Sequence, residues 1–258
     1  MKRFQTATFF AVVCGLGLLG PTPSHAALIV GSQLNLSGAG TVGATFLNFQ
    51  CSYPANSAQC LAAPAGYGDF AVANSTDSFA QYNGTFGLIH SITNALQPLN
   101  TAFSLPNFIM FELNNDITLE LTFIPLGNDP VSTDCAGLAH CTPQNNLLIT
   151  PTNPGGLSAF NLDQNGTGTA ATFGILGIAH SSDGTTANLA GTFTTPFTGL
   201  NPQQALALAF AGNSQTYSSN IVLTVVQSTV PEPSVMALAG MGLVCIALIG
   251  RRRRKQQN

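Results

Sequence analysis

Every lysine and arginine of this 258-residue chain lies close to one of its ends: Lys2 and Arg3 at the start, Arg251, Arg252, Arg253, Arg254 and Lys255 near the close. The stretch from Ala27 to Val230 holds no Lys or Arg, against nine carboxylates: Asp69, Asp77, Glu112, Asp116, Glu120, Asp129, Asp134, Asp163 and Asp183. A fold built there has no Lys or Arg ion pairs and must be held by apolar packing, hydrogen bonds and covalent links. The same imbalance excludes two classes of partner. Nucleic acid and anionic lipid are both gripped through several cationic side chains, which this stretch lacks.

Inside residues 27–227 the governing hydrophobic period is two. It is cleanest in Ile117-Thr118-Leu119-Glu120-Leu121-Thr122-Phe123, where apolar and polar residues alternate, as on a strand with one face in the core and one in water. Rougher runs of the same kind cover 44–49, 68–73, 84–92, 107–113, 146–150, 157–162, 169–179, 187–195, 204–211 and 219–226. Clusters such as Asn114-Asn115-Asp116, Asn153-Pro154-Gly155-Gly156 and Ser181-Ser182-Asp183-Gly184 separate them. Asn201-Pro202 opens like a helix, but Leu206, Leu208 and Phe210 alternate, so 204–211 is read as a strand. Many short strands with turn residues between them predict an all-β, β-sandwich-like domain of jelly-roll or Greek-key type. About 200 residues suffice for one such unit with its own core. Thr, Ser, Asn and Gln replace charge on its outer face.

The two ends read as addresses. Residues 1–26 have a basic start, an apolar run from Ala7 to Gly20 and a small-x-small finish at Ser24-His25-Ala26, the pattern of a secretory signal peptide cut after Ala26. Gly15, Gly17 and Gly20 match a dinucleotide-binding spacing, but no βαβ unit surrounds them. At the other end, residues 228–234 form a linker, and the apolar run Val235–Gly250 would rise about 24 Å as one transmembrane helix. The basic cluster 251–255 stops transfer and keeps the tail cytoplasmic.

The order Val230-Pro231-Glu232-Pro233-Ser234, short apolar helix, basic cluster resembles the PEP-CTERM sorting signal of Gram-negative bacteria, a segment also labelled an ice-binding protein C-terminal domain. The resemblance covers about 29 residues. It implies recognition and cleavage near the Pro-Glu-Pro motif by an exosortase; the leader adds export through the Sec translocon, and the short apolar run a transient residence in the inner membrane. Release to the cell surface or extracellular matrix, often beside exopolysaccharide production, would follow.

Six cysteines agree with export. Cys14 lies in the leader and Cys245 in the apolar tail, leaving Cys51, Cys60, Cys135 and Cys141 in the domain. Three pairings are possible; the C-x8-C and C-x5-C spacings favour two local disulfides, Cys51 with Cys60 and Cys135 with Cys141. Zinc held by Cys135, His140 and Cys141 is the rival, hampered by the adjacency of two of its ligands. Asp163-Gln164-Asn165-Gly166-Thr167-Gly168-Thr169 spaces oxygens as calcium loops do but lacks the closing bidentate acid, so a plain Asx-Gly turn is its rival, and Asn128, Asp129 and Asp134 form a second oxygen cluster.

If Asn114–Asp116 closes a three-residue hairpin, Glu112 and Glu120 become diagonal neighbours about 7–8 Å apart, near the spacing of an inverting glycosidase pair. His90, His140 and His180 leave a serine triad open by count, although no G-x-S-x-G elbow occurs outside the leader. These readings predict an exported surface or matrix protein with a structural or glycan-contacting, non-enzymatic role and no cofactor or metal. The alternatives are a hydrolase using Glu112 and Glu120, and an ice- or surface-adhesion module.

Overall fold

The computed structural model describes residues 28–43, 46–51, 60, 62, 65–93, 95–211 and 214–227. The leader (1–26), the Val230–Ser234 motif, the span 235–250 and the basic tail 251–255 lie outside the described residues.

Eight strands form the body: β1 (Gln33–Val42), β3 (Tyr67–Val72), β4 (Phe86–His90), β6 (Leu105–Phe111), β7 (Ile117–Phe123), β11 (Gly168–Ser181), β12 (Thr186–Thr198) and β13 (Ser214–Gln227). Each pairs antiparallel with the next in chain order. β11 pairs with both β7 and β12, and β13 pairs with β1, so the ring closes. The expected jelly-roll or Greek-key sandwich is therefore corrected to a closed up-and-down barrel with additional strands. Alternation fixes which side chains point inward; it carries no information on whether the last strand returns to the first, and closure is settled by long-range pairs such as Gln33 with Val222.

Alternate residues fill the barrel. Leu34 and Leu36, Phe70 and Val72, Ile109 and Phe111, Ile117, Leu119 and Leu121, Phe173 and Ile175, Leu189 and Phe193, and Ile221 and Leu223 are all buried. Phe193 sits at the centre, stacked on Phe173 at 5.0 Å and tilted against Phe49 and Tyr217 at 5.8 and 5.7 Å. The outer wall carries Thr, Ser and Asn instead. This apolar-in, polar-out arrangement is the inverse of a lipid-embedded barrel.

Two glycines mark places where the wall closes tightly. At Gly177 a Cβ would stand 2.1 Å from the Glu120 carbonyl oxygen, where a bulge brings β7 against β11. At Gly38 it would lie 2.5 Å from the Tyr217 hydroxyl.

The barrel has two unlike rims. β1 begins and β13 ends at the same rim, where the Gly31 amide donates to the Leu223 carbonyl, so both ends of the described domain leave together. That rim is plugged by the 3-10 turn Asp77–Tyr82, with Phe79 and Tyr82 buried. The excursions crowd the opposite rim: the hairpin to β2 (Phe46–Phe49), β5 (Ile92–Thr93), the side sheet of β8 (Val131–Ser132), β9 (His140–Pro143) and β10 (Asn161–Asn165), and helix α1 (Pro202–Phe210).

Three local expectations change. The 204–211 strand is α1: the Asn201 side chain accepts from the Gln204 amide, the Gln204 side chain accepts from the Asn201 amide, and Pro202 opens the first turn. This capping box outweighs the alternation of three apolar residues. The 146–150 strand is a single 3-10 turn, Asn146–Leu148, started by the Asn145 side chain accepting from the Leu147 amide. β1 was absent from the expected strands because Gly38 and Gly40 occupy two of its inward positions and erase the apolar signal.

Candidate functional site

The cysteines are joined as Cys51–Cys60 and Cys135–Cys141, with Cα separations of 5.6 and 5.7 Å. The second bridge removes both thiolates that a zinc site would need. The first sits under β3, where both sulfurs approach the Tyr67 carbonyl.

Glu112 and Glu120 do not form a pair. β6 meets β7 with Met110 opposite Thr118, two residues from the register that would have set Glu112 there, and Glu112 continues past the paired ladder with its amide on the Phe86 carbonyl. Four residues of strand, about 13 Å, then separate the two carboxylates along the sheet. That exceeds the spacing of a glycosidase pair. Glu120 instead accepts from the Ser104 hydroxyl at 2.6 Å and meets His180 Nε2 at 3.0 Å. The carboxylate stands between hydroxyl and imidazole, so Ser104 has no histidine to take its proton, as a serine nucleophile requires. The trio clamps β7 to β11 and to the segment before β6.

His90 is elsewhere: its Nδ1 donates to the Ser91 carbonyl at 2.6 Å, and its ring meets Tyr67 edge-on at 4.7 Å.

The side sheet assembles a grouping that linear spacing concealed. His140 on β9 lies directly opposite Asp163 on β10, with Nδ1 2.7 Å from the carboxylate, and Asp129 approaches from the preceding loop. Hydrogen bonding to Asp163 raises the His140 pKa above its ordinary value. Asp129 is raised too, chiefly by burial and then by the Asp163 charge, with His140 partly offsetting. Its amide is held by Thr142 Oγ1 at 2.9 Å, and its Oδ2 is buried.

The two oxygen clusters read from sequence separate. Asp134 closes its own turn, accepting from the Ser132 hydroxyl and the Ala136 amide, and these bonds hold its carboxyl below the usual range. Asn165 accepts from the Thr167 amide at 3.0 Å in the two-residue β10–β11 turn, a role that the Asx-Gly sequence signals. Among the described residues no group of three or more His, Cys, Asp or Glu is placed to hold a metal ion.

The outer wall carries a continuous polar feature. On β1, β13 and β12, Asn35 pairs with Asn220 and Asn220 with Thr192, while Ser37 pairs with Ser218 and Ser218 with Thr194. Thr172 of β11 extends the second row, opposite Thr194. Strands about 4.8 Å apart set these hydroxyls and amides in rows, with no charged side chain among them. Asn220 Nδ2 donates to Asn35 Oδ1 at 2.7 Å.

Residues 229–254 match the family model of the PEP-CTERM protein-sorting motif. No curated protein and no solved structure matches the chain. The described residues thus form a closed antiparallel β-barrel, in a chain whose C-terminal segment matches a sorting signal. More particularly, that signal is the PEP-CTERM motif, which implies export and processing by an exosortase. Among the described residues no helix is long and apolar enough to cross a membrane.

Proposed function

We propose that the exported domain is a non-catalytic component of the cell surface or extracellular matrix that contacts neutral glycan through its outer wall. The observation that carries this reading is the row of hydroxyl and amide side chains, Ser37, Ser218, Thr194 and Asn35, Asn220, Thr192, on one face of a domain without Lys or Arg. Such groups exchange hydrogen bonds with sugar hydroxyls and offer nothing to an anionic polymer. The leader delivers the chain to Sec and is cut after Ala26. The 235–250 apolar run holds the precursor in the inner membrane with the 251–255 cluster in the cytoplasm, and cleavage near Pro231-Glu232-Pro233 frees the barrel to join exopolysaccharide. The test is affinity electrophoresis of the surface-recovered protein through neutral and acidic polysaccharide gels. Retardation in neutral gels only, lost in the Thr194→Val/Asn220→Leu double variant, supports the reading; equal mobility in every gel overturns it.

A further inference from the structure

Three excursions meet at the rim remote from the two ends of the domain, and together they expose apolar side chains. Phe46 is 40% exposed, Leu96 and Leu147 are 71% exposed and Ile149 is 53% exposed. The loops are tied to one another: the Asn100 side chain donates to the Thr152 carbonyl, and the Thr101 hydroxyl to Thr152 Oγ1. Phe46, Leu47, Ile92, Ala95 and Leu147 line a groove of about 630 Å³. A narrower cleft of about 40 Å³ shares its Phe46, Leu47 and Ile92 wall and runs inward to Phe160 and Phe173. That size and lining fall within the range of small-molecule sites.

Several polar groups in and beside the groove are already engaged. Ser91 Oγ donates to Asn48 Oδ1 at 2.8 Å and accepts from the Phe49 amide, and Gln97 Oε1 accepts from the Thr93 amide. Among the described residues no carboxylate lines the groove, and the stretch from Ala27 to Val230 has no Lys or Arg to receive an anionic headgroup. Gln227 lies at the opposite rim, the length of a 14-residue strand away, roughly 45 Å. The seven linker residues 228–234 span about 25 Å at most and do not reach the groove.

We infer that this groove binds an uncharged, slender apolar molecule, of the chemistry of an alkyl chain with a neutral head, at the rim that faces away from the membrane during tethering. The inference is independent of the glycan contact, which uses the side wall.

The protein recovered from the cell surface without detergent is titrated with the uncharged fluorophore N-phenyl-1-naphthylamine, with 1-dodecanol and dodecanoate as competitors. Saturable one-to-one binding, displaced by dodecanol at least about tenfold better than by dodecanoate, is expected. Leu147→Gln and Phe46→Ala should each weaken it about tenfold or more by removing apolar contact, while Leu176→Gln, an exposed apolar residue on the wall, leaves it unchanged. Leu147 is mostly exposed, so unaltered melting of its variant separates lost binding from lost fold. Absence of saturable binding, equal displacement by dodecanoate, or an unchanged affinity in Leu147→Gln overturns the inference. So does a concentration-dependent dimer that Leu147→Gln abolishes, which assigns the groove to a second copy of the chain.

Discussion

Removing one oxygen from each of two buried tyrosines should move stability in opposite directions. Tyr217 is 5% exposed inside the barrel, and its hydroxyl has no hydrogen-bond partner. A hydroxyl buried without a partner costs about 1–3 kcal/mol of desolvation, so Tyr217→Phe removes that cost while the ring keeps its contacts with Phe49 at 5.0 Å and Phe193 at 5.7 Å. A gain of about 1 kcal/mol is expected, or about 2–4 °C in melting temperature for a domain of this size. Tyr82 is also buried, stacked on Phe111 at 3.8 Å, but its hydroxyl donates to Asn114 Oδ1 at 2.9 Å. Asn114 Oδ1 also accepts from the Asp116 amide, so Tyr82→Phe leaves no orphan acceptor and should cost only about 0.5–1.5 kcal/mol. Equilibrium urea unfolding of both variants reads the difference as shifts in midpoint at constant slope. If Tyr217→Phe loses 1 kcal/mol or more, its hydroxyl is satisfied in solution and the reasoning fails.

Alkaline titration offers a second check on the same residues. Burial raises the Tyr82 pKa to about 12, with the Asp116 charge adding, and burial followed by the Asp69 charge pushes Tyr217 well above its usual value. An acid held protonated by the fold stabilises it fully below the unfolded pKa, near 10, and that contribution is lost as pH rises toward the folded value. Absorbance at 295 nm should therefore rise together with loss of circular dichroism above about pH 10; ionisation of both tyrosines in an intact fold would contradict the burial. Stability should also fall as pH rises through the raised His140 pKa, above the ordinary value of about 6.5, and His140→Gln should flatten the melting-temperature profile there. A profile unchanged by the substitution would remove the ion pair as its cause. Replacing Cys135 and Cys141 by Ser should cost about 2–3 kcal/mol in urea unfolding, and an unaltered midpoint would show that the loop is held without its bridge. The surface-recovered protein, reduced and denatured, should give no internal tryptic fragments, since Ala27 to Val230 offers no Lys or Arg; such fragments would place the processing sites elsewhere.

The class of fold was legible because Ile117 to Phe123 alternates without exception and most other runs follow it. Closure was not, since β11 reaches both β7 and β12 through pairs that no local pattern encodes. β1 was hidden by Gly38, whose inward position is filled from across the strand pair by the Tyr217 ring. The helix α1 was announced by Asn201, Pro202 and Gln204, and the reading failed by weighting side-chain periodicity over the cap. The sorting signal was readable entire because its recognition depends on contiguous order. The His140, Asp163 and Asp129 grouping was not, because strand register assembles it from three separate segments. The Glu112 and Glu120 proposal failed on the same ground: a two-residue change in hairpin register redistributes every cross-strand neighbour.

An even number of strands in the ring sends both ends of the domain out through one rim. Loops on the far rim can therefore lengthen, shrink or change chemistry without moving the two ends of the described domain. A scaffold of this kind can diversify what it presents at one rim while its connections to the rest of the chain, at the other, stay fixed.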